Sequence, residues 1–252
     1  MKVTNPTTEV VEAEFPLDTP EKVEAKLALA QEAHLKIRAF SFAERSKLMH
    51  AAADLIEAEI DTTSVMLTRE MGKPIAQSRA EVLKCAKSMR YYADNAESML
   101  SPWSIDDPSK VGASDAGSIW QPLGVVLAVM PWNYPLWQVM RFAAPALMAG
   151  NAGVLKHASN VPESAMYLHS LFTRAGFPEG AFGTLMISAS QVAAVIDDWR
   201  VRATTLTGSE PAGRAVAERS GKMLKPSVQE LGGSDPFIVT PSADLDKAVE
   251  VA

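Results

Sequence analysis

The stretch VVLAVMPWNYP, residues 125–135, decides the fold class of this chain. Its six apolar residues, Val125–Met130, predict a strand that is buried on both faces. Two prolines, Pro131 and Pro135, then require a turn before another element can begin. The apolar run 136–149 predicts a buried helix that ends at a glycine. The local order is therefore strand, polar turn and helix.

On the C-terminal side of this stretch, strand-like and helix-like segments alternate. Strict alternation predicts an α/β fold with a doubly wound, mainly parallel, Rossmann-like sheet. Ligands bind such sheets beyond the carboxyl ends of the strands, where Asn133 supplies an amide. The predicted strands are 125–130, 153–156, 182–187, 203–207 and 227–231, and the predicted helices are 136–149, 162–175, 191–197 and 210–220.

On the N-terminal side, the pattern predicts an arm and a helical region. Residues 1–18 have no regular period and predict an irregular, extended arm. Thr19 followed by a proline is typical of a helix start. Ser41 and Glu44 fit a capping box at the start of the next helix. A long helix is predicted over 75–100, and the Pro-, Asp- and Gly-rich segment after it predicts a protruding hairpin.

Composition excludes several classes of function. The net charge is −6 with no basic stripe, which argues against nucleic acid as a partner. No apolar run approaches the ~20 residues of a membrane span, and the N-terminus lacks an apolar signal core, so we expect a cytoplasmic protein. The single cysteine, Cys85, excludes a disulfide framework. The four histidines show no ligand spacing, and we expect no metal site.

Three further groups lie where predicted strands end. Lys156 closes an apolar strand and can reach ribose hydroxyls or phosphates, although a solvated lysine is the alternative. Ser209 opens a helix whose N-terminal amides can hold a pyrophosphate, although a plain strand–helix turn is the alternative. Glu230 precedes two glycines, and an apolar setting would raise its pKa and suit a general base. The usual Gly-x-Gly-x-x-Gly fingerprint of dinucleotide sites does not occur.

Taken together, these motifs resemble the aldehyde dehydrogenase family in order and approximate spacing. The resemblance covers essentially the whole chain and implies oxidation of an aldehyde to a carboxylic acid, with NAD or NADP as hydride acceptor. The motifs that carry it are Met71–Pro74, Pro131–Pro135, Gly150–Asn151, Lys156, Thr207–Ser209 with Gly213–Arg214, and Glu230–Gly233.

The resemblance also implies roles for individual residues. Asn133 is the side-chain donor of the oxyanion hole and Glu230 is the general base. Lys156 holds ribose hydroxyls, Ser209 a phosphate oxygen, and Trp132 walls the cofactor cleft. The full set implied for the cofactor is Met130, Trp132, Lys156, Ser159, Thr207, Gly208, Ser209, Leu231 and Gly232.

Two departures and one arginine refine this reading. The family commonly has proline after the lysine and often glutamate three residues beyond it, but this chain has His157 and Ser159. Loss of that carboxylate admits NADP as well as NAD. Arg141 lies eight residues after Asn133 on the next helix. Family members that act on succinate semialdehyde carry a similar arginine for the far carboxylate, and Gln138 can assist. The alternative for Arg141 is a structural ion pair.

The family nucleophile is a cysteine that lies further beyond the general base than the 22 residues remaining after Glu230 here. Cys85 lies in a helix, where a structural role is expected. We therefore expect the N-terminal, cofactor-binding portion of such an enzyme, with the catalytic domain largely missing and no activity alone. A non-catalytic dinucleotide-binding or assembly module is the alternative. An unrelated α/β reductase ranks below both, because Tyr134 and Tyr167 lack a matching lysine.

The expected organisation has four parts. Residues 1–105 form the arm and helices of the cofactor domain, and 106–123 form the hairpin of an oligomerisation region. Residues 124–233 form the dinucleotide-binding part, and 234–252 begin the catalytic domain. The expected partners are a small-molecule aldehyde and, in the complete enzyme, further copies of the chain in a dimer or tetramer.

Overall fold

The computed structural model describes residues 1–251. The chain begins with an antiparallel hairpin of β1 (Lys2–Thr4) and β2 (Val11–Glu14). The prediction of an irregular arm is therefore wrong for these residues. The one fully buried side chain of β1 is Val3, between two exposed neighbours. A single anchor of this kind leaves no periodic signal in the sequence.

Four helices follow, and their starts agree with the predicted caps. They are α1 (Pro20–Ile37), α2 (Phe42–Ala58), α3 (Ile60–Met71) and α4 (Ile75–Met99). The Thr19 side chain accepts from the backbone N–H of Lys22. Ser41 and Glu44 form the reciprocal bonds of a capping box. These local signals were sufficient because both partners of each bond lie within one turn.

A short hairpin connects the helices to the main sheet. It pairs β3 (Trp103–Ser104) with β4 (Gly117–Ser118), and a 3₁₀ turn lies between them at Pro108–Val111. The first strand begins before residue 106, where the hairpin was expected to start. Trp103 of the hairpin is 64% exposed, and Trp120, two residues after β4, is 66% exposed.

The remaining elements form the predicted α/β arrangement. Five parallel strands lie in the order β7-β6-β5-β8-β9, so the strand order reverses between β5 and β8. The doubly wound, Rossmann-like prediction is confirmed. The elements are β5 (Val125–Met130), α5 (Trp137–Met148), β6 (Ala152–His157), α6 (Pro162–Arg174), β7 (Phe182–Thr184), a 3₁₀ turn (Ala189–Gln191), α7 (Val192–Asp197), β8 (Val201–Thr207), α8 (Glu210–Lys222), β9 (Ser227–Glu230) and α9 (Leu245–Val251).

The strand predicted over 182–187 is too long. It ends at Thr184, although Leu185 and Ile187 are still buried. Beyond that point Met186 exchanges hydrogen bonds with Asp18, its N–H donating to the carboxylate and its carbonyl accepting from the backbone. The residues after Thr184 thus stay buried, but Met186 bonds to the loop that holds Asp18 and not to a strand.

Helices cover both faces of the sheet. Alternate residues of β5 point to opposite sides: Ala128 packs in the cluster with α2, α4 and α5, and Leu127 packs in the cluster with α1 and α7. Burial of each strand on two faces explains why β5 reads as a continuous apolar run. Among the helices of residues 1–251, none is both long and apolar enough to cross a bilayer.

Candidate active site

The strands that carry the predicted site residues end at one edge of the sheet. Met130 at the end of β5 lies opposite His157 of β6, and Thr207 of β8 lies opposite Glu230 of β9. This edge includes the point between β5 and β8 where the strand order reverses. In open α/β sheets that point is where ligands bind.

A cavity of about 500 Å³ lies between α5 and the β5, β8 and β9 side of the sheet. Five predicted site residues line it together, namely Met130, Gln138, Arg141, Thr207 and Glu230. The Gln138 Oε1 atom is buried there and has no hydrogen-bond partner within the described chain. The cavity therefore combines apolar walls with a cation, a carboxylate and an unpaired amide oxygen.

Arg141 reaches across this cavity to two strand ends. Its Nη2 donates to the Thr207 hydroxyl at 3.1 Å, and its Nη1 lies 3.9 Å from a Glu230 carboxylate oxygen. The Glu230 side chain is 58% exposed and the Arg141 side chain 39%. At that distance and exposure the ion pair contributes little to stability. Because more than half of the Glu230 side chain is exposed, the apolar walls of the cavity do not enclose it as expected.

Asn133 lies in the exposed turn between β5 and α5. Its Oδ1 accepts a hydrogen bond from the Tyr134 backbone N–H at 3.1 Å. Because the oxygen is engaged, the two Nδ2–H donors remain for another acceptor.

The residues expected to bind a cofactor do not all share one cavity: Met130 and Thr207 line the large one. Lys156 lines a separate cavity of about 240 Å³, between α7, α8 and the opposite sheet face. Burial lowers the Lys156 pKa, and no carboxylate of the described residues pairs with it. Ser209 is the exposed N-cap residue of α8, and its hydroxyl makes no cap bond. Trp132 lines a third cavity beside β1 and does not share the Lys156 cavity.

The remaining cofactor candidates lie in the turns themselves. Ser159 is exposed after β6. The Gly208 N–H donates to the Glu230 carbonyl at 3.0 Å, which ties the β8 turn to β9. Leu231 packs closely on α8, since a Cβ at Gly213 would lie 2.5 Å from its Cδ2. Gly232 is exposed, with open space where a Cβ would lie.

Sequence reasoning missed the residues that support these turns. His157 carried no predicted role at these turns. It is buried, and its Nε2 donates to the Pro135 carbonyl at 2.9 Å. Its Nδ1 accepts from the Ala158 N–H at 2.9 Å, which fixes the neutral tautomer. Burial lowers the pKa of His157 to about 4. The one sequence feature that could have indicated this role is that His157 stands where the family commonly has proline.

The fold and the strand-end groups define a doubly wound domain of the nucleotide-binding class. The model of the aldehyde dehydrogenase family matches residues 1–252, and the chain belongs to that family. The resemblance predicted from the motifs is thereby confirmed. The described residues contain no group of three or more side chains suited to hold a metal ion.

Two curated relatives illustrate the similarity. One is "Succinate-semialdehyde dehydrogenase [NADP(+)] 1" of Mycobacterium ulcerans (strain Agy99), 58% identical over 99% of this chain and 54% of that protein. The other carries the same name in Mycobacterium tuberculosis (strain ATCC 25618 / H37Rv) and is 56% identical over 98% of this chain and 54% of that protein. The chain spans about half the length of the curated relatives that it matches.

Solved structures agree with this assignment. Succinic semialdehyde dehydrogenase from Streptococcus pyogenes, solved in complex with NADP+, superposes with a TM-score of 0.93 at 36% identity, over 99% of this chain and 54% of that one. Succinate-semialdehyde dehydrogenase from Burkholderia pseudomallei gives 0.92 at 30% identity, over 99% and 52%.

Proposed function

We propose that this chain provides the cofactor-binding half of an NADP-dependent succinate-semialdehyde dehydrogenase. The observation that carries the proposal is the shared cavity of Gln138, Arg141 and Glu230 at the edge beside Asn133. The names of the most similar relatives support both the aldehyde and the cofactor.

The residues present fit a dinucleotide. Ser209 and the first-turn amides of α8 have no cap partner and suit a pyrophosphate. The unpaired ammonium of Lys156 suits ribose hydroxyls or a phosphate. Ser159 stands where the family often has glutamate, so no carboxylate repels a 2′-phosphate. The bound cofactor supplies the acceptor for the hydride that leaves the aldehyde carbon.

Each residue of the large cavity then has a role around the aldehyde. Arg141 exchanges its long contact with Glu230 for a two-point contact with the substrate's far carboxylate, which is the stronger geometry. Gln138 lines the same cavity, and its Nε2–H groups can donate to that carboxylate. This exchange also releases Glu230 to take a proton from water.

Asn133 acts on the reacting carbonyl. The family resemblance assigns the nucleophile to a cysteine outside these 252 residues. Addition of its thiolate turns the carbonyl oxygen into an alkoxide, and Nδ2 of Asn133 donates to that oxygen. Such a donor is typically worth about 10²–10³ in rate. Glu230 later removes a proton from the water that hydrolyses the thioester.

Cofactor choice can be tested on the chain itself. NADP+ titration followed by tryptophan fluorescence should give saturable binding. Ser159→Glu should weaken NADP+ binding by about tenfold or more through charge repulsion, with NAD+ affinity nearly unchanged. Ser159→Ala is the matched control and should preserve NADP+ binding. Equal affinity of Ser159→Glu and wild type for NADP+ would contradict the proposed site.

Catalysis can be tested in a chimaera in which this chain replaces the matching 54% of the M. ulcerans relative. The chimaera should oxidise succinate semialdehyde, and Asn133→Ala should lower kcat by about 10²-fold or more. Arg141→Ala should reduce kcat/KM for succinate semialdehyde much more than for an uncharged aldehyde of similar length. NADP+ binding without turnover in the chimaera would favour the alternative, a non-catalytic dinucleotide-binding module.

We also propose that the β3–β4 hairpin contacts another copy of the complete protein. Large apolar side chains are exposed on it and beside it, among them Trp103, Ile119 and Trp120. Trp120→Glu should therefore reduce the mass of the chimaera in light scattering. An unchanged oligomer would contradict this role. The four-part division and the cytoplasmic location stay predictions from the sequence.

A further inference from the structure

A buried ion pair lies beneath the turn that carries Asn133. Lys73, from the Met71–Pro74 motif, is 5% exposed, and Glu81, in the second turn of α4, is 2% exposed. The Lys73 ammonium donates directly to Glu81 Oε2. Burying two charges is costly unless further hydrogen bonds satisfy them. The other groups that contact Lys73 and Glu81 belong to the turn between β5 and α5 and to the start of α5.

The second oxygen of Glu81 caps α5. Glu81 Oε1 accepts from the backbone N–H of Leu136 at 2.9 Å and of Trp137 at 3.0 Å. The N-cap residue of α5 makes no side-chain cap bond of its own. A carboxylate at a helix N-terminus satisfies free amides and complements the helix dipole. The cap of α5 therefore comes from α4, 55 residues earlier in the chain.

The cation of the pair holds the other side of the turn. The Lys73 ammonium lies 3.6 Å from the centroid of the Tyr134 ring. An ammonium over the face of an aromatic ring at this distance is attracted to it. The Tyr134 backbone N–H is the donor that engages Asn133 Oδ1. The ring contact thus fixes the residue whose backbone orients the Asn133 amide.

His157 closes the turn from the β6 side through its bond to the Pro135 carbonyl. The turn is therefore held at three successive points: the Tyr134 ring, the Pro135 carbonyl and the first amides of α5. Asn133 itself is exposed on this turn.

We propose that Lys73 and Glu81 are positioning residues that orient the Asn133 side-chain amide. The inference rests on the proposed function only for the use of that amide as an oxyanion donor. The orientation itself is a property of this chain and can be measured without turnover.

The first test measures hydrogen exchange in the 252-residue chain. The double variant Lys73→Met/Glu81→Gln replaces the pair by neutral groups of similar shape, a change that proteins often tolerate. We expect amide exchange at Tyr134 and Trp137 to accelerate at least tenfold, with β5 amides unchanged. Unchanged exchange at both residues would overturn the proposal. Acceleration throughout β5 would overturn it as well, because the pair would then only stabilise the fold.

The second test uses the chimaera and separates kcat from cofactor binding. In the double variant kcat should fall at least tenfold while KM for NADP+ stays within twofold. The single variant Lys73→Arg keeps the cation, so it should retain most of the wild-type kcat. Glu70→Gln is the matched control, because Glu70 is a buried carboxylate in the last turn of α3 that caps α6. This variant should leave kcat within twofold. An equal loss of kcat in Glu70→Gln would overturn the positioning role.

The two tests distinguish a failure of the proposed function from a failure of the positioning role. A wild-type chimaera without activity contradicts the proposed function, and hydrogen exchange still decides whether Lys73 and Glu81 orient the turn. An active chimaera whose double variant keeps full kcat contradicts the positioning role alone.

Discussion

Replacing Glu70 by glutamine should remove a pH dependence from the stability of this protein. Glu70 is buried at the end of α3 and accepts hydrogen bonds from the Glu163 N–H at 2.6 Å and the Ser164 N–H at 3.0 Å. Burial raises the pKa of Glu70 to about 7, against an ordinary value of 4.5. The folded protein therefore retains a proton on Glu70 at pH values where the unfolded chain has lost it.

The sign and size of the effect follow from that difference. The stability that protonated Glu70 contributes is complete below about pH 4.5 and is lost as the pH rises through about 7. One pKa unit corresponds to about 1.4 kcal/mol, so the total is about 3 kcal/mol, of which about 2 kcal/mol falls between about pH 5.5 and about pH 8. Glutamine resembles the protonated group and does not titrate.

The assay is urea unfolding of wild type and Glu70→Gln at a series of pH values, followed by tryptophan fluorescence. Relative to the variant, wild type should lose about 2 kcal/mol of unfolding free energy between about pH 5.5 and about pH 8. Glu32→Gln, at an exposed position of α1, should keep the wild-type pH profile. A constant difference between wild type and Glu70→Gln across the series would refute the reasoning.

Three further changes have definite expected results. Burial lowers the pKa of His157 from 6.5 to about 4. Wild type should therefore lose stability as the pH falls through that range, and His157→Gln should not. An equal dependence of unfolding free energy on pH in the two proteins, measured with urea, would contradict this. Gly180→Ala places a methyl group on a residue with φ +85°, 2.6 Å from a carbonyl oxygen of α1. The free energy of unfolding, measured by thermal unfolding, should therefore fall by at least about 2 kcal/mol. Gly183→Ala, where the methyl group enters open space, should lower it clearly less. Gly213→Ala should displace the leucine after β9 and weaken NADP+ binding several-fold. Gly221→Ala, which places its methyl group in open space on α8, is the control. Equal NADP+ affinities of the two variants would contradict the prediction.

Much of the domain could be predicted because its signals are local. The apolar run of β5, the proline-bounded turn after it and the capping box of α2 each depend on residues within one or two turns of one another. Parallel pairing of β5 then places the strand ends at one edge, so a ligand edge follows from the order of elements. The family's motifs also lie in these turns, and they led to the family that the comparison confirmed.

The support of the site depends on contacts that no local pattern encodes. Leu136 receives its cap from Glu81, and Arg141 meets Thr207 across 66 positions of chain. β1 of the N-terminal hairpin has a single buried side chain, a valine, which leaves no period in the sequence. Such contacts exist only after the helices pack on the sheet.

The amino-acid sequence alone therefore determined the order of elements, the edge where their polar groups meet and the family, because each depends on short-range patterns. Tertiary structure decided which groups share a cavity and how they are held. Lys156 and Arg141 both lie near strand ends, yet they line different cavities on opposite faces of the sheet. Lys73 lies beneath the Asn133 turn because burial brings a distant ion pair to the amides and the ring that satisfy it.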